Sequence, residues 1–295
     1  MSNMPNLIEE AGLFKKNKSI ADARIHSVQS NLIGYIVDSH CHLDLIEERG
    51  LKLEEVVKNS LANNVKILQT ICTKITEIER LLSYTKSYDF IYASIGIHPC
   101  NVVEQPKITA AEIIKICAEH PKIIGIGETG LDYYHDKSAI DLQKISFLEH
   151  IHASQTNDLP VIIHSRDSDL DMMEILQSEQ KNSTFPALLH CFSSSKELAR
   201  QALDLGIYIS ISGIVTFKNA SALQEIVKFL PLEFLLVETD SPYLAPEPHR
   251  GKINQPSLTK HVVDFIAELK GLTAEKIAEE TTKNFLKIFK KVGAL

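Results

Sequence analysis

Apolar and polar positions alternate along this chain in two periods. Short runs rich in Ile, Val and Leu fall at residues 35–38, 65–72, 90–96, 123–128, 160–164, 187–190, 207–212 and 234–238. Most are nearly continuous in apolar residues, the pattern of strands buried on both faces of a parallel sheet. Between them lie amphipathic stretches with helical spacing, at residues 53–63, 109–120, 142–156, 170–180, 196–205 and 222–230. Two closing helices are predicted from Ser257 and from Thr273 onward, with Gly271 as the stop between them. Thr109 and Glu112 have the spacing of a capping box.

Eight strand–helix units without a linker or composition break predict an α/β fold, a single (β/α)8 TIM-type barrel with an extra C-terminal helix. A doubly wound open sheet would use the same units, but no GxGxxG follows the first strand. The barrel is expected over residues 35–295. Residues 1–34 are read as an N-terminal extension, polar, with a short helix near residues 7–14.

The strand ends carry the chemistry. In a barrel of this type, catalytic groups come from the C-terminal ends of the strands. Here the first strand runs into His40 and His42, the third into His98, the fourth into Glu128, the fifth into His164, the sixth into His190 and the eighth into Asp240. Strand alternation predicts that Asp38, His40 and His42 project together. A packed core has no use for six such ends. Four histidines (40, 42, 164, 190) and two carboxylates (128, 240) could hold two divalent cations about 3.5–4 Å apart. Glu128, near the middle of the arc, is the natural bridge. Asp240 could ligate one ion and orient or deprotonate a water, which a cation acidifies towards neutrality.

Around this set, His98 is read as a substrate contact, to a phosphate or a leaving oxygen, against a plain turn residue fixed by Pro99. Asp132 either orients a ligand or caps the next helix. Arg166 either pairs with an acid such as Asp167 or meets a phosphate. Residues 241–252 are stiffened by Pro242, Pro246 and Pro248 and carry His249, Arg250 and Lys252, where contact to a nucleic-acid backbone is placed. Tyr133 and Tyr134 could stack one base.

Charge narrows the partners. The net charge is −7, so general electrostatic adhesion to nucleic acid is not expected. Positive charge for a phosphate substrate must be local, and bound cations supply it. Five cysteines without a CxxC spacing argue for reduced thiols and a cytoplasmic setting. Cys41 and Cys191, whose neighbours face the site, are read as packing residues. No run of about 18 apolar residues suggests a membrane span.

The blocks Asp38-Ser-His-Cys-His-Leu-Asp44, Gly96-Ile-His-Pro99, Gly127-Glu-Thr-Gly-Leu-Asp-Tyr-Tyr134, His164-Ser-Arg-Asp167, His190-Cys-Phe-Ser193 and Glu238-Thr-Asp-Ser-Pro-Tyr-Leu-Ala-Pro246 together resemble the TatD-type metal-dependent deoxyribonucleases of the amidohydrolase superfamily. Pro248-His-Arg-Gly-Lys252 continues the likeness, which runs from about residue 35 to the C-terminus. The resemblance implies one ion on His40, His42 and Asp240, a second on His164 and His190, and Glu128 between them. It implies hydrolysis of DNA phosphodiesters with two magnesium, manganese or zinc-like ions. DNA would be a substrate held by local contacts, and the chain a monomer or weak oligomer. Thr129 stands where an aliphatic residue is common, and Ser194 where glycine is frequent, which bears on the loop over the site. An amidohydrolase acting on a small ester, lactone or amide is the second reading. A non-catalytic barrel is the third, and it would be expected to lack a ligand.

Overall fold

The computed structural model describes residues 34–135 and 137–294. The helix expected near residues 7–14 lies outside them. Eight parallel strands follow one another in the order β1 to β8: Ile36–Cys41, Val65–Thr70, Ile91–Ile95, Ile123–Asp132, Val161–Arg166, Ala187–Leu189, Tyr208–Ile211 and Leu235–Val237. Beyond β8 the chain closes the ring against β1. Asp240 N–H donates to the His40 carbonyl at 2.9 Å, His42 N–H to the Ser241 carbonyl at 2.8 Å, and Ser241 forms a parallel bridge with Cys41. The sheet is therefore a (β/α)8 barrel and not a doubly wound open sheet.

The helices are α1 Leu43–Glu48, α2 Leu53–Ala62, α3 Ile78–Ser87, α4 Ala110–Glu119, α5 Ile140–Asn157, α6 Asp169–Asn182, α7 Lys196–Asp204, α8 Ser221–Phe229, α9 Thr259–Lys270 and α10 Ala274–Ile288. The capping box forms on α4, with Thr109 and Glu112 each answering the other's backbone N–H. Gly271 ends α9 in the left-handed region at φ 64°. Two helices depart from the expectation. α3 was not apparent in the sequence, and its buried side is made of Leu81, Leu82, Tyr84 and Thr85, a mixed face. α1 is a single short element started at His42.

One layer inside the barrel takes a residue from every strand: Val37, Ile67, Tyr92, Ile124, Ile162, Leu188, Tyr208 and Leu236. Phe285, Leu286, Ile288 and Phe289 of α10 and its end pack onto this layer. Asn284 donates to the carbonyls of Leu232 and Leu235, and Thr282 to that of Tyr35, all at or just before strand starts. The extra C-terminal helix thus plugs the N-terminal mouth. Chemistry is left to the opposite mouth, where the strands end.

His150 of α5 is fully buried and links this scaffold to the site. Its Nδ1–H donates to the Ser146 carbonyl at 2.7 Å, and its Nε2 accepts the Ile97 N–H at 3.2 Å, beside His98. Burial pushes its pKa down to about 4. The unfolded chain therefore binds this proton near pH 6.5 while the folded chain refuses it until about pH 4. Stability from this residue is complete above pH 6.5 and falls as the pH drops towards 4, by about 3 kcal/mol. Urea unfolding midpoints from pH 7 to pH 4 should fall more steeply in the wild type than in His150→Gln. Parallel slopes would contradict the assignment.

Candidate metal centre

Two glycines let β4 carry Glu128 into the mouth. The apolar run at residues 123–128 suggests that Glu128 ends its strand, but β4 continues to Asp132. The β4–β5 register shifts between Ile126 and Thr129, so Glu128 sits on a bulge. Gly127 has φ 141° and Gly130 φ 134°, and a Cβ on either would lie 2.5 Å from the Ile162 carbonyl oxygen or 2.1 Å from that of His164. Only glycine allows β5 to approach this closely while Glu128 points inward.

Glu128 is the centre of the constellation. Its Oε1 lies 2.7 Å from His190 Nε2, 3.0 Å from His164 Nδ1 and 3.4 Å from His98 Nε2. Its Oε2 faces the other way, 3.4 Å from His40 Nε2 and 3.9 Å from His42 Nε2. Asp240 Oδ1 lies 3.2 Å from His42 Nε2 and 3.7 Å from His40 Nε2. The rings of His40 and His190 stack with centroids 3.9 Å apart. Asp240 reaches this place through a left-handed turn, φ 53°. Asn254 Nδ2 holds that turn by donating to the carbonyls of Thr239 and Tyr243. The structure thus brings His40, His42, Glu128, His164, His190 and Asp240 together, with the two oxygens of Glu128 dividing the histidines into two groups.

The donor set asks for positive charge. His40 Nδ1 and Nε2 and His42 Nδ1 are buried without a hydrogen-bond partner. A lone pair on His40 Nε2 facing carboxylate oxygens is repulsive unless a proton or a cation lies between. Burial alone would raise the Glu128 carboxyl, yet His190, His98 and His164 hold it well below the usual carboxylate range. Burial alone would lower His42, yet Asp240 lifts it to about 8, and Glu128 with Glu238 lifts His190 well above its ordinary value against the same burial. Metal–ligand bonds of about 2.0–2.2 Å place neighbouring ligands roughly 3–3.5 Å apart around one ion, close to these separations. The residues present therefore fit divalent cations.

Three surrounding groups resolve differently from one another. His98 Nδ1 accepts the Cys100 N–H at 3.1 Å, so the proton of its neutral ring is on Nε2. That nitrogen faces Glu128 as a donor, and with Glu128 and His164 it also has the spacing of a metal-holding group. Asp132 Oδ2 lies 3.0 Å from His164 Nε2, and its Oδ1 accepts the N–H groups of Tyr134 and His135. It orients His164 and closes a turn; α5 begins only at Ile140, so the helix-cap alternative fails. Arg166 lies over the Tyr134 ring, 5.0 Å from its centroid, instead of pairing with Asp167.

Asp38 does not project with His40 and His42. The β1–β2 register shifts between Asp38 and Cys41, and Asp38 accepts from Thr239 N at 2.9 Å and Thr239 Oγ1 at 2.6 Å. It ties the β8 loop to β1. Cys41 is a packing residue as expected, its Sγ 3.3 Å from the Gln69 carbonyl. Cys191 lies past β6 with φ 43°, and its Sγ is 3.1 Å from Ser212 Oγ. Ser194 and Ser195 both donate to Asp169, which fixes the loop after β6 to α6. Among the described residues no disulfide forms, and no helix is long and apolar enough to cross a membrane.

Glu238 is a site residue that the sequence shows only as part of the block Glu238-Thr-Asp-Ser-Pro. It is fully buried, receives the Ser210 hydroxyl on Oε2, and places Oε1 3.5 Å from His190 Nδ1. A carboxylate this close favours a proton on His190 Nδ1, which leaves Nε2, 2.7 Å from Glu128 Oε1, as the ring atom available to a cation. Its position two residues before Asp240 on the same strand path was the available signal.

A barrel with this imidazole and carboxylate cluster at its C-terminal mouth defines a metal-dependent hydrolase. The chain belongs to the TatD-related DNase family, whose model matches residues 37–290. It is 40% identical over 257 residues to the metal-dependent hydrolase YcfH of Escherichia coli, covering 86% of this chain and 96% of that one. To YabD of Bacillus subtilis, also a metal-dependent hydrolase, it is 41% identical over 255 residues, covering 86% and 99%. The crystal structure of YjjV, a TatD homologue from Escherichia coli, superposes with a TM-score of 0.79 at 25% identity, over 88% of this chain and 99% of that one. Structures of an amidohydrolase from Burkholderia multivorans, at 13–14% identity, share the fold.

Proposed function

We propose that the protein hydrolyses DNA phosphodiester bonds, releasing nucleotides from strand ends, with two divalent cations (magnesium, manganese or zinc) in the site around Glu128. The division of the Glu128 oxygens between two histidine groups carries this reading. In it His40, His42 and Asp240 would hold one ion and His164 and His190 the second, with Glu128 shared between the two groups. Bound there, the cations supply Lewis acidity and a water of near-neutral pKa. The chain's own residues divide the remaining work. The Asp240 side chain is 15% exposed against 3% for Glu128. Asp240 can therefore meet solvent, and it orients the attacking water and takes its proton. Glu128 stays ionised and fixes the spacing. His98, whose Nε2–H faces Glu128 at 3.4 Å, would turn that donor to a phosphate or leaving oxygen when substrate is bound. Glu238 and Asp132 hold His190 and His164 at fixed ring orientation. The cysteine chemistry supports a cytoplasmic setting.

The small-ester reading has no comparable support. Its structural neighbours share only the barrel at such identities. A screen of single- and double-stranded DNA and RNA with magnesium, manganese and zinc tests the proposal. Metal-loaded protein should shorten a labelled DNA oligonucleotide. Chelated protein should not, and added cation should restore cleavage. Robust turnover of a small ester with DNA left intact would overturn it.

A further inference from the structure

Three arginine–aromatic pairs surround the catalytic mouth. Arg49 lies 4.7 Å from the Tyr243 ring centroid, Arg166 5.0 Å from that of Tyr134, and Arg250 4.3 Å from that of Phe217. Two of the three lysine–ring contacts among the described residues are elsewhere. Lys66 on Tyr35 and Lys122 on Tyr92 lie at strand starts, and Lys196 on Phe229 lies between α7 and α8. All three arginines thus sit at the mouth, and the two lysines at strand starts do not. The division is notable in a chain of net charge −7.

The placement is across the site as well as around it. Tyr243 and Arg49 follow β8 and β1, whereas Tyr134 and Arg166 belong to the ends of β4 and β5. In the order β1 to β8 these two junctions are opposite each other. Each is tied to the centre. The Tyr243 ring is 6.4 Å from that of His42, and Tyr134 donates its N–H to Asp132, which holds His164. Phe217 and Arg250 extend the first side along the loops after β7 and β8. Tyr134 is 60% exposed and Tyr243 43%, so both rings keep area for another planar group.

We infer that these pairs form a clamp for a single-stranded polynucleotide laid across the mouth, with its reacting phosphodiester at Glu128 and Asp240. The inference rests on the nuclease reading above and names how that substrate is held. Stacking preorganises each guanidinium, which offers its fork of N–H donors to a phosphate. The tyrosine faces take unpaired bases. Anchors on opposite sides of the centre suit a strand with a nucleotide on each side of the reacting bond. A small ester would reach neither.

The test is fluorescence anisotropy of a labelled phosphorothioate thymidine oligonucleotide on metal-loaded protein, at several salt concentrations. Phosphorothioate linkages resist cleavage, so binding is read independently of turnover. R49A, R166A and R250A should each weaken binding about 5–10-fold and lower the salt slope by about 0.7. Arg→Lys variants should keep the slope. Tyr134→Leu and Tyr243→Leu should weaken binding about tenfold with the slope unchanged. Lys66→Ala, at a strand start, should match the wild type, and a duplex of the same strand should bind more weakly because pairing hides the base faces. Arginine variants with wild-type affinity and slope would overturn the clamp, even with DNA cleavage intact. Equal binding of duplex would overturn its single-strand character. Binding as expected without cleavage of any ordinary oligonucleotide would uphold the clamp and sink the nuclease reading.

Discussion

Glu128→Gln should lower phosphodiester turnover by about three orders of magnitude or more. That is the rate equivalent of several kcal/mol of lost charge stabilisation. The amide keeps the size and much of the hydrogen bonding of the side chain but not its charge. In the native chain Oε1 and Oε2 face two groups of imidazoles at 2.7–3.9 Å. A neutral amide offers one acceptor oxygen and one NH2, so one group would meet a donor where it needs an acceptor. Affinity for the second ion should fall with turnover. The fold should survive, because the bulge at Gly127 and Gly130 does not depend on the carboxylate. Steady-state rates and cation titration of the same preparation check both halves. Wild-type turnover in this variant would mean that Glu128 does not span the centre.

Asp240→Asn should be nearly as severe, about 10²–10⁴-fold in kcat, with a smaller loss of substrate affinity. Asn keeps the left-handed turn at φ 53°, which it tolerates well, so the change is confined to the charge. What is lost is the proton acceptor and one anionic neighbour of His40 and His42. Because Asp240 is the more exposed of the two central carboxylates, the variant should lose kcat more than it loses tightly bound metal. Loss of all bound cation with no kinetic change in metal excess would assign Asp240 to structure alone.

Much of this arrangement was legible before any coordinates. The eight strands announced themselves because strands covered on both faces must be apolar throughout, as Ile123, Ile124 and Ile126 are. Polar residues that follow such runs stand out, and so His40, His42, His164, His190 and Asp240 could be picked individually. What the sequence concealed has definite causes. Glu128 looked like a strand end because the glycine bulge that lets β4 pass through it is a three-dimensional event between β4 and β5. Asp38 looked like a partner of His40 because alternation assumes regular pairing, and the register shift after it breaks that assumption. α3 was missed because its inner face includes Tyr84 and Thr85 among polar neighbours. Glu238 drew no attention because its role depends on Ser210 and His190, contributed by other parts of the barrel. The arginine–aromatic pairs join residues as distant as Arg49 and Tyr243 and carry no local pattern.

The proposed site holds two cations, with Glu128 between them. Calorimetric titration of chelated protein with manganese tests it most directly. Two ions per chain are expected in the wild type, with the second lost or greatly weakened in Glu128→Gln. A single ion per chain in the wild type, or identical isotherms for the two proteins, would contradict it.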